Sequence, residues 1–121
     1  MIYNHSCGLN IPTHIFMSDH KPRKICFVLT SFIHYSRNFL ILDELHKRSD
    51  VELHIIIGGT ALVSRYTSKV TDVESFLRAD GHTNIHKAHF SIEGDSEVVK
   101  AKTTGLAISE LASLYLAIEP D

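Results

Sequence analysis

The stretch ICFVLTSFIHYSRNFLILDEL, Ile25 to Leu45, decides the fold. With Lys24 its first part reads KICFVL, a continuous apolar run rich in β-formers, as a strand covered on both faces requires. Thr30-Ser31 then opens a short bend. Residues 35–48 follow with Phe39, Leu42 and Leu45 at helical spacing and a basic end, His46-Lys47-Arg48, that suits the negative pole of a helix. Nucleotide-binding α/β units begin with a strand, bend and helix in this order. This bend, however, holds no glycine and no cation before Arg37.

Downstream the alternation continues. VELHIII (51–57) is a second buried strand closed by Gly58-Gly59, and segments 60–66 and 70–77 are predicted as short helical pieces. Asp80-Gly81 marks a turn, and NIHKAHF (84–90) a third strand with period-two alternation. After Gly94-Asp95 the longest helix is expected over 96–118, with Asp95 or Ser96 as N-cap. Val98, Ala101, Gly105, Ile108, Ala112 and Tyr115 fall at three- and four-residue steps, a face expected to pack on the sheet with Gly105 permitting close approach. The order β-α-β-α-β-α predicts an α/β fold, a three-layer Rossmann-like parallel sheet with right-handed crossovers. In a sheet of order 3-2-1-4 the first strand is central. Here no fourth strand is in view, so KICFVL is expected at an edge, where it invites pairing with another chain. Residues 1–22, short apolar pairs among His, Asn, Pro and Gly, are expected as an irregular extension. Residues 23–121 are then a partial Rossmann-like domain.

The composition is that of a globular protein, 44% hydrophobic and 21% charged, with a net charge of −2 that recommends neither nucleic acid nor an anionic membrane as partner. Cys7 and Cys26 make no disulfide framework. No apolar run approaches the ~20 residues of a membrane span, and the first 20 residues lack the pattern of a secretory signal. A cytoplasmic location is the expectation.

The bend at 30–36 lies at the carboxyl end of the first strand, where open α/β sheets place ligands. Ser31 and Ser36 could meet a diphosphate there with nearby backbone N–H groups, unless Ser36 merely lies near the helix cap. His34 is either an acid/base group or a surface histidine, and Arg37 either replaces a missing loop cation or is solvated. Gly58-Gly59-Thr60 permits close approach of backbone to a ligand, although a tight turn explains it as well. It is no dinucleotide fingerprint, because G-x-G-x-x-G is absent after the first strand. Alternation puts His89 on the face opposite His86, and neither Cys nor carboxylate accompanies them or His82 at ligand spacing, so no metal site is expected. Cys26, inside a strand, is expected to be unreactive, and no Ser-His-Asp or Cys-His arrangement is legible.

Taken in order, VLTSFIHYSRNFLIL, VELHIIIGGTALVSRY, RADGH and GDSEVVKAKTTGLAISELASLYLAIEPD resemble the hydrolysing UDP-N-acetylglucosamine 2-epimerase family over 23–121. Members carry a G-T-R-A-D-Y-S-like first loop, a V-T-G-x-H-L-like second strand and loop, a D-G-F turn and an S-x-G-L-A-I helix ending in K-P-D. The resemblance implies a GT-B architecture of two Rossmann-like domains, this chain being the first half of the N-terminal one. It also implies conversion of UDP-N-acetylglucosamine to N-acetylmannosamine and UDP, a sialic-acid-type step, with no cofactor. The UDP-sugar substrate is held in a cleft with a second domain. By the same resemblance Ser31, His34, Tyr35, Ser36, Arg37, Gly59 and Thr60 are substrate-binding. The proposed acid/base carboxylates belong beyond the K-P-D, so no catalytic residue is expected within this chain and it is expected to be inactive alone. Tyr35 and Ser36 match the first loop, whereas Phe32 replaces its Arg, His34 its Asp, and Ala61 the His of the second loop. Phe cannot hold a phosphate as a forked guanidinium does. The alternative is a non-catalytic, degenerate α/β binding or dimerisation module, a homo-oligomer formed through the first strand's edge.

Overall fold

The three apolar runs are strands in the computed structural model, which describes residues 20–121. The elements are β1 (Arg23–Leu29), α1 (Phe32–Lys47), β2 (Val51–Gly58), a 3-10 turn (Gly59–Leu62), α2 (Val73–Ala79), β3 (Ile85–Ala88) and α3 (Glu97–Ile118). Of the extension predicted over 1–22, residues 1–19 lie outside the described residues, and residues 20–22 carry no regular structure.

The sheet is parallel, in the order β1-β2-β3, with Arg23 level with Val51 and Ile55 level with Ile85. Ile55, Ile56 and Ile57 are at most 1% exposed, which only a central strand covered on both faces achieves. On one face, Leu29, Leu53, Ile55 and Ile57 pack with Leu42 of α1 and Val73 and Leu77 of α2. On the other, Ile56, Ala88 and Phe90 pack with Ile118, supported by Ala107, Leu111 and Leu114 of α3. The fold is therefore α/β with three layers, compatible with half of a Rossmann-like domain.

The change of face between α2 and α3 reverses the winding and carries the chain back across the sheet. Glu119 ends α3 in the left-handed region (φ 55), its N–H donating to the Tyr115 carbonyl. Lys24 Nζ donates to the Ile118 carbonyl at 3.1 Å. The Asp121 N–H donates to the Lys24 carbonyl at 3.0 Å, while the Lys24 N–H donates to Asp121 Oδ2 at 2.7 Å. Asp121 thus lies against the outer edge of β1.

Four expectations change. The helix after β1 starts at Phe32 because Ser31 caps it, its hydroxyl accepting from the His34 N–H at 3.2 Å, so Ser36 is not a cap residue. The helical piece expected over 60–66 shrinks to one 3-10 turn, and the next begins only after Asp72, which caps α2 by accepting from the Glu74 and Ser75 N–H groups. The third strand stops at Ala88, whose register partner Gly58 is the last residue of β2. Finally, the face predicted for the long helix is not the buried one. Val98 is 64% and Ile108 67% exposed, and a Cβ on Gly105 would meet nothing within 4 Å. The helix instead packs through Ala107, Leu111, Leu114 and Ile118.

Candidate functional site

At the carboxyl ends of β1 and β2 the two following loops are locked together through Thr30. The Thr30 carbonyl accepts from the Ala61 N–H at 3.2 Å and from Thr60 Oγ1 at 3.0 Å. Gly59, at φ 58, brings the second loop so close that a Cβ there would stand 2.8 Å from the Thr30 carbonyl oxygen. The glycine pair legible in sequence is therefore a loop-to-loop contact, and only a residue without a side chain fits it.

The contact sets Ser31, His34, Gly59 and Thr60 around one point above adjacent strands. The Thr30 N–H donates to His34 Nδ1 at 3.4 Å, and Thr30 Oγ1 lies 2.8 Å from the same nitrogen. Nδ1 is thus the acceptor, which puts the neutral ring's proton on Nε2. His34 presents a donor to solvent at the first turn of α1, where the helix dipole favours an anionic oxygen. Ser31 Oγ accepts from the His34 N–H and retains its own proton for a ligand.

The other predicted residues do not converge. Tyr35 turns toward α2, its hydroxyl donating to Asp80 Oδ2 at 2.7 Å. Burial, then the bond and charge of Asp80, push the phenol up to about 12. Ser36 donates back to the Ile33 carbonyl at 3.1 Å. Arg37 is exposed and enters no ion pair among the described residues. Phe32 is drawn into an aromatic cluster, its ring centroid 6.1 Å from Tyr35 and 5.7 Å from Phe76, with Tyr35 stacked on Phe76 at 5.6 Å. The position that resembles an arginine site thus joins α1 to α2.

Two hollows flank the converged residues. One of about 100 Å³ lies between Gly59 and the end of β3, lined by Leu62, Ala88, Phe90 and Ser91. A larger one of about 330 Å³ runs from Thr60 and Tyr66 to Lys100, Thr103 and Thr104 of α3. Sequence reasoning missed Thr30, which organises the site from inside the quoted bend, and also Tyr66, Lys100 and Thr103. Thr30 was legible as the last residue before a cap; the others become neighbours only because α3 crosses beneath the β2 loop.

Elsewhere, burial pushes the half-buried Cys26 thiol up, away from the reactive thiolate. His82 lies against His46 at 4.7 Å between centroids, and His86 Nε2 stands 3.0 Å from His54 Nδ1. Among the described residues no three His, Cys, Asp or Glu side chains are grouped to hold a metal ion. No described helix is long and apolar enough to cross a membrane. A comparison with protein-family models and with curated proteins finds no match to this chain.

Proposed function

We propose that the chain is the N-terminal part of a hydrolysing UDP-N-acetylglucosamine 2-epimerase-like protein of GT-B type, acting in the cytoplasm, in which the loops after β1 and β2 border the nucleotide-sugar cleft. The observation that carries this reading is the locking of those loops through Thr30, which brings Ser31, His34, Gly59 and Thr60 together at the carboxyl ends of adjacent parallel strands. The return of α3 to the outer edge of β1 supports it, since a doubly wound domain adds its next strand there. Ser31 and the Nε2–H of His34 supply hydrogen bonds to the sugar or to a phosphate oxygen. Phe32 brings no charge to the first loop, so affinity is weak. The acid/base carboxylates and the uridine contacts come from sequence beyond Asp121.

The test is titration of the 15N-labelled 121-residue chain with UDP-N-acetylglucosamine. Amide shifts centred on Ser31, His34, Gly59 and Thr60, with no UDP released, are expected. Shifts elsewhere, none at millimolar ligand, or turnover by this chain would overturn the proposal. The alternative, a non-catalytic pairing module, is favoured by one observation: no described strand covers the outer edge of β1. Light scattering discriminates, because that reading requires a dimer and the first does not.

A further inference from the structure

The opposite, amino-terminal end of the sheet carries chemistry that the nucleotide-sugar reading does not use. On the α3 face, Glu52 Oε1 lies 2.8 Å from His54 Nε2, and His54 Nδ1 lies 3.0 Å from His86 Nε2, with the two rings stacked at 5.3 Å. The His54 side chain is only 13% exposed. Glu52 is held below the usual carboxylate range, first by its bond to His54, so it only accepts. The neutral chain then has one consistent arrangement: His54 carries its proton on Nε2, and His86 donates from Nε2 to His54 Nδ1. A first added proton is accommodated, because a cationic His54 donates to Glu52 on one side and to His86 on the other. A second proton removes the last lone pair between the rings and sets two cations in contact.

A second histidine pair touches through its rings, with no hydrogen bond between them. His82, 5% exposed in the turn before β3, packs edge-on against His46 at the end of α1. Both pairs fasten the same arm, since His82 and His86 lie on the segment from α2 into β3 while His46 and His54 belong to α1 and β2. That arm is short: β3 pairs over four residues, aided by Asn84 Nδ2 donating to the Leu53 carbonyl and by the Lys87–Glu74 ion pair. A hollow of about 310 Å³ is lined by His46 and His82 of the second pair and by Glu52, the carboxylate that His54 bonds.

We propose that the His54–His86 and His46–His82 pairs form an acid-opened clasp, which holds the 82–88 arm on the sheet near neutral pH and releases it when both members of a pair are protonated. The groups facing the first pair are Glu52 on its own strand, Lys24 and Cys26 on β1 and Lys21 before it. On the same face of the sheet α3 packs through the apolar Leu111, Leu114 and Ile118. Facing the second are Asp80 and Asp43, which favour its charge, against burial and His46, which oppose it more strongly. Burial, then His54, likewise holds His86 below the ordinary histidine value. For a base whose folded value is depressed, the stabilisation is present above the unfolded value of ~6.5 and is lost as pH falls from there through the folded one.

Native-state hydrogen exchange of the 121-residue chain, corrected for intrinsic rates, tests this together with ring-nitrogen NMR. The opening constant for the Ile85–Ala88 amides is expected to rise about tenfold per pH unit for each proton taken up, so up to about a hundredfold if both pairs open together. The Ile25 and Phe27 amides of the β1–β2 ladder should change less. At neutral pH the His54 and His86 rings should both be Nε2–H tautomers. His86→Gln should remove about one tenfold step from the slope. Should that variant fail to fold, the unsubstituted chain still decides. Full protonation of both His54 and His86 while β3 keeps its protection, or an Nδ1–H tautomer on neutral His54, would overturn the clasp.

Discussion

At the scale of single residues, Gly59 holds the candidate site together while Tyr35 is drawn away from it. Gly59 makes its contact by having nothing beyond Cα. An alanine there must adopt φ near 58 and place a Cβ against the Thr30 carbonyl oxygen. Gly59→Ala is therefore expected to cost about 2 kcal/mol in urea unfolding, the scale of a left-handed non-glycine residue with a further clash. Tyr35 acts through its hydroxyl, which bonds to the Asp80 carboxylate across 45 residues of sequence. Its raised value of about 12 means that the fold favours the neutral phenol. The stabilisation is complete below the unfolded value of ~10 and is lost between there and about 12 as pH rises. Spectroscopic titration should show one tyrosine ionising late, and Tyr35→Phe should abolish that step while costing ~1 kcal/mol at neutral pH.

At the scale of elements, α3 shows where periodicity stops deciding. The helix is apolar nearly all round, so the stripe through Gly105 and Ile108 and the stripe through Ala107, Leu111 and Leu114 satisfy helical spacing equally well. Only the way the helix crosses the sheet selects the second. Leu111→Ala should thus cost about 2 kcal/mol as a core truncation, and Ile108→Ala less than ~0.5 kcal/mol as a surface change. Gly105→Ala should stabilise by about 1 kcal/mol, since helix propensity improves and the added methyl meets no atom. A loss on Gly105→Ala in thermal unfolding would restore the close-packing role expected from sequence. The strands and their order were legible because KICFVL and VELHIII are continuous apolar runs, ended by Thr30-Ser31 and by Gly58-Gly59. Capping by Ser31 and Asp72 was open to the same reasoning. For the candidate site, sequence pointed to the carboxyl ends of β1 and β2, where the structure gathers Ser31, His34, Gly59 and Thr60 but not Tyr35, Ser36 or Arg37. Tyr35 is diverted by Asp80 and Phe32 by Phe76, neither of which is near in sequence.

At the scale of the molecule, the core thins toward β1. β2 is buried at Leu53 and from Ile55 to Gly58, whereas Ile25, Cys26, Phe27 and Val28 of β1 are each only half-buried. Large apolar side chains stand exposed on the two long helices, Leu40 and Ile41 on α1 and Ile108 and Leu116 on α3. In a parallel ladder the N–H and C=O of one residue point to the same side, and the sides alternate. The Arg23 N–H donates to the Asp50 carbonyl at 2.9 Å, so the odd residues of β1 face β2. Lys24 faces outward and meets Asp121, which leaves Cys26 and Val28 as the next outward pair. Their amides should exchange at least about tenfold faster than those of Ile25 and Phe27 in dilute solution of the 121-residue chain, because ladder bonds protect only the inward set. Protection of Cys26 and Val28 that grows with protein concentration would identify a second copy on this edge and favour the pairing module over the epimerase-like reading. Protection independent of concentration would show that the edge is already covered within one chain and would count against the pairing module.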